Sequence, residues 1–199
     1  MCALLETAFT LLELPPFSNP LLRNAAMIRG AFWPGLLRDW EPIFPGQHLT
    51  MFVTHAFLHG SFLHMLFNML MLLHLGREAV LRLGQRGFLL VYLICAIAGG
   101  AAFGLLAPSD APMVGASGAV FGLFGTAVYW DFQRRIQVGA SLRPVFNTVI
   151  GLVIMNLVLF VLAGGMLAWQ AHLGGFLAGL VLARVVTPTL SHRWRPTRR

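Results

Sequence analysis

Apolar residues fall in five long runs, at about 56–75, 86–107, 113–132, 144–165 and 168–188, each bounded by charge, proline or glycine. Runs of roughly 20 residues, at about 1.5 Å per helical residue, match a bilayer core about 30 Å thick. One more run, at about 2–14, comes first in the chain and makes those five the second to the sixth; it is weaker, carrying Glu6 and Glu13 and ended by Pro15-Pro16, so it reads as a short first span. Between it and the next run, residues 17–54 are rich in aromatics and proline (Phe32, Trp33, Pro34, Trp40, Pro42, Phe44, Pro45), too many for a plain connector. Tryptophan prefers the headgroup level, so this stretch is expected to pack at the outer interface. The pattern predicts an all-α membrane protein, a bundle of six transmembrane helices forming one domain over residues 1–199.

Composition supports lipid as the solvent. The chain is 57% hydrophobic and only 11% charged, with a mean hydropathy of +0.75, and a water-soluble core cannot absorb that much apolar surface. A net charge of +7 could suggest nucleic acid, but all 14 cations are arginines placed between apolar runs or in the tail, a placement that suits membrane orientation. No nucleic-acid partner is expected, and the basic tail at 189–199 reads as a solvated segment touching anionic lipid. Cys2 and Cys95 are poorly placed to pair and show no metal spacing. The N-terminus lacks the positive region and cleavage site of a secretory signal.

Arginine counting sets the orientation. Arg77, Arg82 and Arg86, then Arg134, Arg135 and Arg143, then Arg184, Arg193, Arg195, Arg198 and Arg199 fall on one side; the other has Arg23, Arg29 and Arg38, diluted by Asp39 and Glu41. The positive-inside bias puts both termini in the cytoplasm. The small size and lack of extra domains suggest a prokaryotic plasma membrane.

Polar side chains within a span cost roughly 2–3 kcal/mol or more, so each needs a partner or a purpose. Ser117 lies early in the fourth run and His172 early in the sixth, while His64 and Asn68, four apart, share one helix face in the second. All three runs lead inward under this topology, so the four groups can meet in the outer half of the bilayer. Gly118, Gly122 and Gly125 form a smooth strip beside Ser117, and Gly175 and Gly179 continue the face of His172, which permits close helix approach.

A serine hydroxyl needs a base within about 2.6–3.2 Å to become a nucleophile, and His172 is the candidate. No carboxylate lies at a depth to orient the imidazole, so packing or another hydrogen bond must fix its tautomer; Phe121, one turn after Ser117, could supply the packing. Asn68, His64 and the Ser117 backbone N–H can donate to a developing oxyanion. Taken singly, Ser117 reads as helix-packing filler, while Asn68 fits interhelical glue and His172 a structural role no better and no worse than chemistry; the constellation at one depth favours chemistry. His55 and His59 have HxxxH spacing without the glutamate of a zinc protease, so capping or water contacts are expected and no metal.

Phe57-Leu58-His59-Gly60 leading into His64 through Asn68, then Gly115-Ala116-Ser117-Gly118, then Ala171-His172-Leu173-Gly174-Gly175 with Gly179, resemble the rhomboid family of intramembrane serine proteases over about residues 54–185. The resemblance implies a six-helix bundle with a water-filled cavity open to the outer face. It implies Ser117 as nucleophile, His172 as general base and His64 and Asn68 as oxyanion donors. It further implies single-span membrane proteins as substrates, cut in or beside their transmembrane segment, a gate near the second and fifth helices, and no cofactor. The family's usual Trp-Arg pair falls at Thr50-Met51, which carries neither residue, leaving the anchoring of that loop open. Phe121 stands where some members have tyrosine. A non-cleaving rhomboid-like escort protein is the main alternative; a small transporter ranks below it, for want of an inverted repeat.

Overall fold

The computed structural model describes residues 1–186. The expected tail at 189–199 and the last residues of the sixth run lie outside the described residues. Those described form seven α-helices and no strand: α1 (Cys2–Glu13), α2 (Leu21–Gly30), α3 (Gln47–Thr54), α4 (Phe62–Leu106), α5 (Ser117–Gln137), α6 (Arg143–Leu162) and α7 (Trp169–Val185). Two of them, α4 and α6, are long and apolar enough to cross a membrane. α4 is continuous by hydrogen bonding but breaks at Gly84, whose φ of 72° is the left-handed conformation that glycine adopts without cost. Its two arms, 62–83 and 85–106, correspond to the second and third apolar runs.

Helix boundaries depart from the apolar runs where capping decides. The second run was expected from about 56, but the helix starts at Phe62, because Ser61 caps it by accepting the His64 N–H at 3.2 Å. The fourth run was expected from about 113, yet α5 begins at Ser117, behind Gly115 with φ 129°. Ser117 is therefore the first residue of its helix.

The second arm of α4 packs with α5 and α7 at backbone-to-backbone distance, and glycines make this possible. A Cβ on Gly175 would collide with the Gly118 carbonyl oxygen, and one on Gly179 with that of Gly122. A Cβ on Gly99 would stand 2.9 Å from the Ala171 carbonyl oxygen. In lipid no hydrophobic force draws helices together, so contact of this closeness, with its dispersion gain, is what holds them. Thr126 on α5 adds a hydrogen bond across the seam, donating to Gly179 O at 3.3 Å as well as to its own helix at Gly122 O.

The stretch from 17 to 54 is built rather than slack. Phe32 is fully buried, with Phe52, His55 and Phe103 set edge-on around its ring. Its backbone pairs with Met113 through two 2.9 Å hydrogen bonds, tying this stretch to the segment before α5. Met51 is fully buried in the apolar cluster around Phe32, and hydrogen bonds add to this anchoring: Gln47 Nε2 donates to Ile28 O and Thr54 Oγ1 to Gly30 O.

α1 spans 12 residues, about 18 Å at the usual rise, well short of a bilayer core. Its two glutamates, which weakened the sequence pattern, share one cation from α2. Arg23 holds the fully buried Glu6 with two nitrogens at 2.9 Å, Glu13 at 2.7 Å and the His59 carbonyl at 3.1 Å.

α6 stands apart. Of its side chains only Val145 is buried, and a half-buried stripe of Val149, Leu152, Asn156 and Phe160 faces the bundle, while the remaining apolar side chains are left outward.

Candidate active site

Ser117 opens α5, so its N–H and its neighbours' are first-turn donors without a carbonyl four residues back. His172 sits in the first turn of α7, three residues before Gly175 on the same helix face. The close α5–α7 seam therefore brings the two together: Ser117 Oγ lies 2.8 Å from His172 Nε2. His172 is 3% exposed. The Phe121 ring lies against the imidazole, centroids 4.1 Å apart and planes within 4°. His172 Nδ1 is 2.7 Å from Asn156 Oδ1 of α6.

His64 reaches the same place from α4. A point one Cβ bond out from Gly115 is 2.9 Å from His64 Nε2 and 3.7 Å from Ser117 Oγ. Any side chain at 115 would strike the His64 ring, and the φ of 129° independently calls for glycine. Asn68, one turn on, is buried and donates Nδ2 to His64 O at 2.9 Å. A primary amide carries two hydrogens, so one is left to donate elsewhere.

His55 and His59 are buried and hold backbone, rather than meeting water at the helix start. His55 Nδ1 bonds Met51 O at 2.7 Å, and its carbonyl accepts the Gly115 N–H at 2.9 Å. Burial pushes the His55 imidazole down to about 4, only partly offset by the Met51 carbonyl, so it is neutral at physiological pH. His59 Nε2 accepts from the Ala116 N–H at 3.5 Å, and its ring meets that of His64 edge-on at 5.1 Å. Both histidines thus shape the turn that delivers Ser117.

The description "Rhomboid domain" matches residues 46–189 of this chain, well over half its length. The chain belongs to the rhomboid family. Among relatives, Rhomboid-like protease 3 of Toxoplasma gondii is 32% identical over 148 residues, 72% of this chain and 54% of that protein. Rhomboid protease GlpG of Yersinia pestis (strain Pestoides F) is 34% identical over 150 residues, 71% of this chain and 50% of that protein. Inactive rhomboid protein 1 of Rattus norvegicus is 28% identical over 160 residues, covering 79% of this chain and 18% of that protein. The chain thus spans about half the length of the first two. Rhomboid proteins are multi-pass integral membrane proteins, and the all-helical fold with its outward apolar face on α6 accords with that membership.

Within this rhomboid fold, the residues singled out from sequence gather at one place: Ser117 and Phe121 in contact with His172, His64 and Gly115 beside them and Asn68 bonded to the His64 carbonyl. Gly118, Gly175 and Gly179 form the seam behind them. Asn156 was missed. Its signal was present: a lone amide in the apolar run GLVIMNLVLFVL is as conspicuous as Asn68. Two surface cavities lie elsewhere. One, of about 180 Å³, is lined by Trp33, Trp40 and Gln47, and the other, of about 390 Å³, by Tyr129, Val145 and Arg184.

Proposed function

We propose that this rhomboid protein is an intramembrane serine endopeptidase that cleaves single-span membrane proteins in or beside their transmembrane segment. The observation that carries the reading is the 2.8 Å contact between Ser117 Oγ and His172 Nε2. As Oγ attacks the scissile carbonyl carbon, its proton passes to Nε2, and the carbonyl electron pair moves onto oxygen. The Ser117 N–H, the His64 ring and the second amide hydrogen of Asn68 donate to that oxyanion. Collapse of the intermediate breaks the C–N bond, and Nε2–H protonates the departing amine. Water, deprotonated by the same nitrogen, then releases the acyl group from Ser117. Phe121 keeps the imidazole in plane during both transfers. None of these steps calls for a cofactor.

The topology completes the reading. α1, the two arms of α4, α5, α6 and α7 are six membrane segments, with Arg77, Arg82, Arg86, Arg134, Arg135 and Arg143 on the cytoplasmic side. The chain enters α1 and leaves α7 on that same side. The membrane is a prokaryotic plasma membrane, and the substrate reaches Ser117 laterally, past the sparsely held α6.

Purified protein in detergent should cut a single-span substrate and react with a fluorophosphonate at Ser117, and Ser117→Ala and His172→Ala should lose both while keeping their helical signal. Cleavage by Ser117→Ala at the parent rate would remove the proposal. A second reading, a non-cleaving factor that binds and escorts membrane proteins, draws on the relative named inactive. The presence of both Ser117 and His172 in bonding contact weighs against it, and binding of substrate without cleavage or labelling would favour it.

A further inference from the structure

α6 touches the bundle along a single stripe, and one residue on that stripe is polar. Val149, Leu152 and Phe160 are apolar, whereas Asn156 places an amide among them. Among the described residues, the bond from Asn156 to His172 is the one side-chain hydrogen bond that α6 makes to another helix. An aliphatic residue would pack on this stripe without burying an amide in a membrane environment, so the amide calls for a purpose.

Geometry supplies one. An amide oxygen only accepts, so the 2.7 Å approach of Asn156 Oδ1 requires the ring hydrogen on His172 Nδ1. That leaves the Nε2 lone pair directed at Ser117 Oγ, 2.8 Å away. The opposite amide orientation would donate to Nδ1 and put the hydrogen on Nε2, where the ring could no longer take the serine proton. Phe121 fixes the plane of the ring but is indifferent to its tautomer. In the orientation the structure shows, with Oδ1 toward the ring, Asn156 sets the hydrogen on Nδ1.

We infer that Asn156 is the positioning residue of the site, extending the Ser117–His172 pair into a Ser-His-Asn array whose third member is carried by the helix least bound to the bundle. The inference rests on the reading of Ser117 as nucleophile and His172 as base. Being neutral, the amide takes no proton during turnover; it holds Nδ1–H while Nε2 gains and loses one. Displacement of α6 would withdraw Oδ1 and slow the base, so the array is complete only with α6 seated.

The test uses the full chain in detergent, with fluorophosphonate labelling of Ser117, kcat and KM on a single-span substrate, and 15N NMR of the His172 ring assigned by His172→Gln. Asn156→Leu should slow labelling and lower kcat on the order of 10- to 100-fold, the worth of a hydrogen bond to a charged group, with KM within about twofold. Asn156→Asp, which can only accept, should restore both to within about fivefold of the parent. Asn147→Leu, removing an exposed amide from the same helix, should change neither. The parent ring should show the hydrogen on Nδ1. A parent ring protonated on Nε2 overturns the inference without recourse to any variant, as does Asn156→Leu labelling at the parent rate, or Asn156→Asp as slow as Asn156→Leu at an unchanged melting temperature. Failure of the underlying reading is distinct: the parent itself would then not label at Ser117.

Discussion

Replacing Gly175 by alanine isolates what the helix seam does for the chemistry. The added Cβ would overlap the Gly118 carbonyl oxygen, a backbone atom that cannot rotate aside. Restoring an ordinary carbon–oxygen contact requires α5 and α7 to part by about 1 Å or more at this level. Ser117 precedes Gly118 by one residue and His172 precedes Gly175 by three, so the same parting takes Oγ and Nε2 from 2.8 Å to nearly 4 Å, beyond hydrogen-bonding range. A misplacement of about 1 Å costs on the order of 100-fold in rate. Overpacking costs about 1–3 kcal/mol, against which alanine's better helix propensity returns up to about 1 kcal/mol, so the fold should survive with a modestly lower melting temperature. Gly151→Ala is the matched control, because nothing lies within 4 Å of a Cβ there. Turnover of a single-span substrate and thermal unfolding in one detergent should show Gly175→Ala about 100-fold slower and Gly151→Ala unchanged in rate. Equal rates for the two variants would refute the claim that backbone contact at this seam sets the distance between hydroxyl and imidazole.

Asn68→Ala should lower kcat by about 100-fold with Ser117 still reactive toward fluorophosphonate, the usual cost of one oxyanion donor; an unchanged kcat would leave Asn68 as a structural amide bonded within its own helix. Arg23→Ala strands the buried Glu6 without its cation and should cost about 3 kcal/mol of stability, seen as a fall in melting temperature; a parent-like midpoint would mean that Glu6 finds another partner. His55, held neutral with its pKa lowered from 6.5 to about 4, favours the folded state fully above pH 6.5. That contribution, up to about 3 kcal/mol, is lost as pH falls toward 4, because the unfolded chain takes up the proton first. Melting temperature should therefore drop between pH 6.5 and 4, and His55→Gln should flatten that drop; an equally steep profile in the variant would assign it to other groups.

Much of the site was legible because each of its polar residues interrupts an apolar run. Ser117, His172, His64 and Asn68 were conspicuous for that reason, and the glycines at four- and three-residue spacing marked the faces that meet. Asn156 carried the same mark, but its value depends on α6 lying beside α7, and nothing local says which helix adjoins which. Glu6 and Glu13 stood without a visible partner in the first run because their cation, Arg23, arrives from a separate helix. His55 and His59 read as capping or water-contacting residues because they precede a helix; His55 does bond a carbonyl at the end of α3, but both are buried rather than wet.

Local pattern thus determined the lipid environment, the helical class, the family and the residue types available for chemistry, since hydropathy and helical period are properties of neighbouring positions. Tertiary structure alone decided the distances. The serine and histidine are 55 residues apart, and their contact depends on the depth and rotation of two helices locked by glycine-to-carbonyl packing. The Asn156 contact at Nδ1 of His172, the turn that sets Ser117 at a helix start and the cation that neutralises α1 likewise arise only when separate segments are brought together.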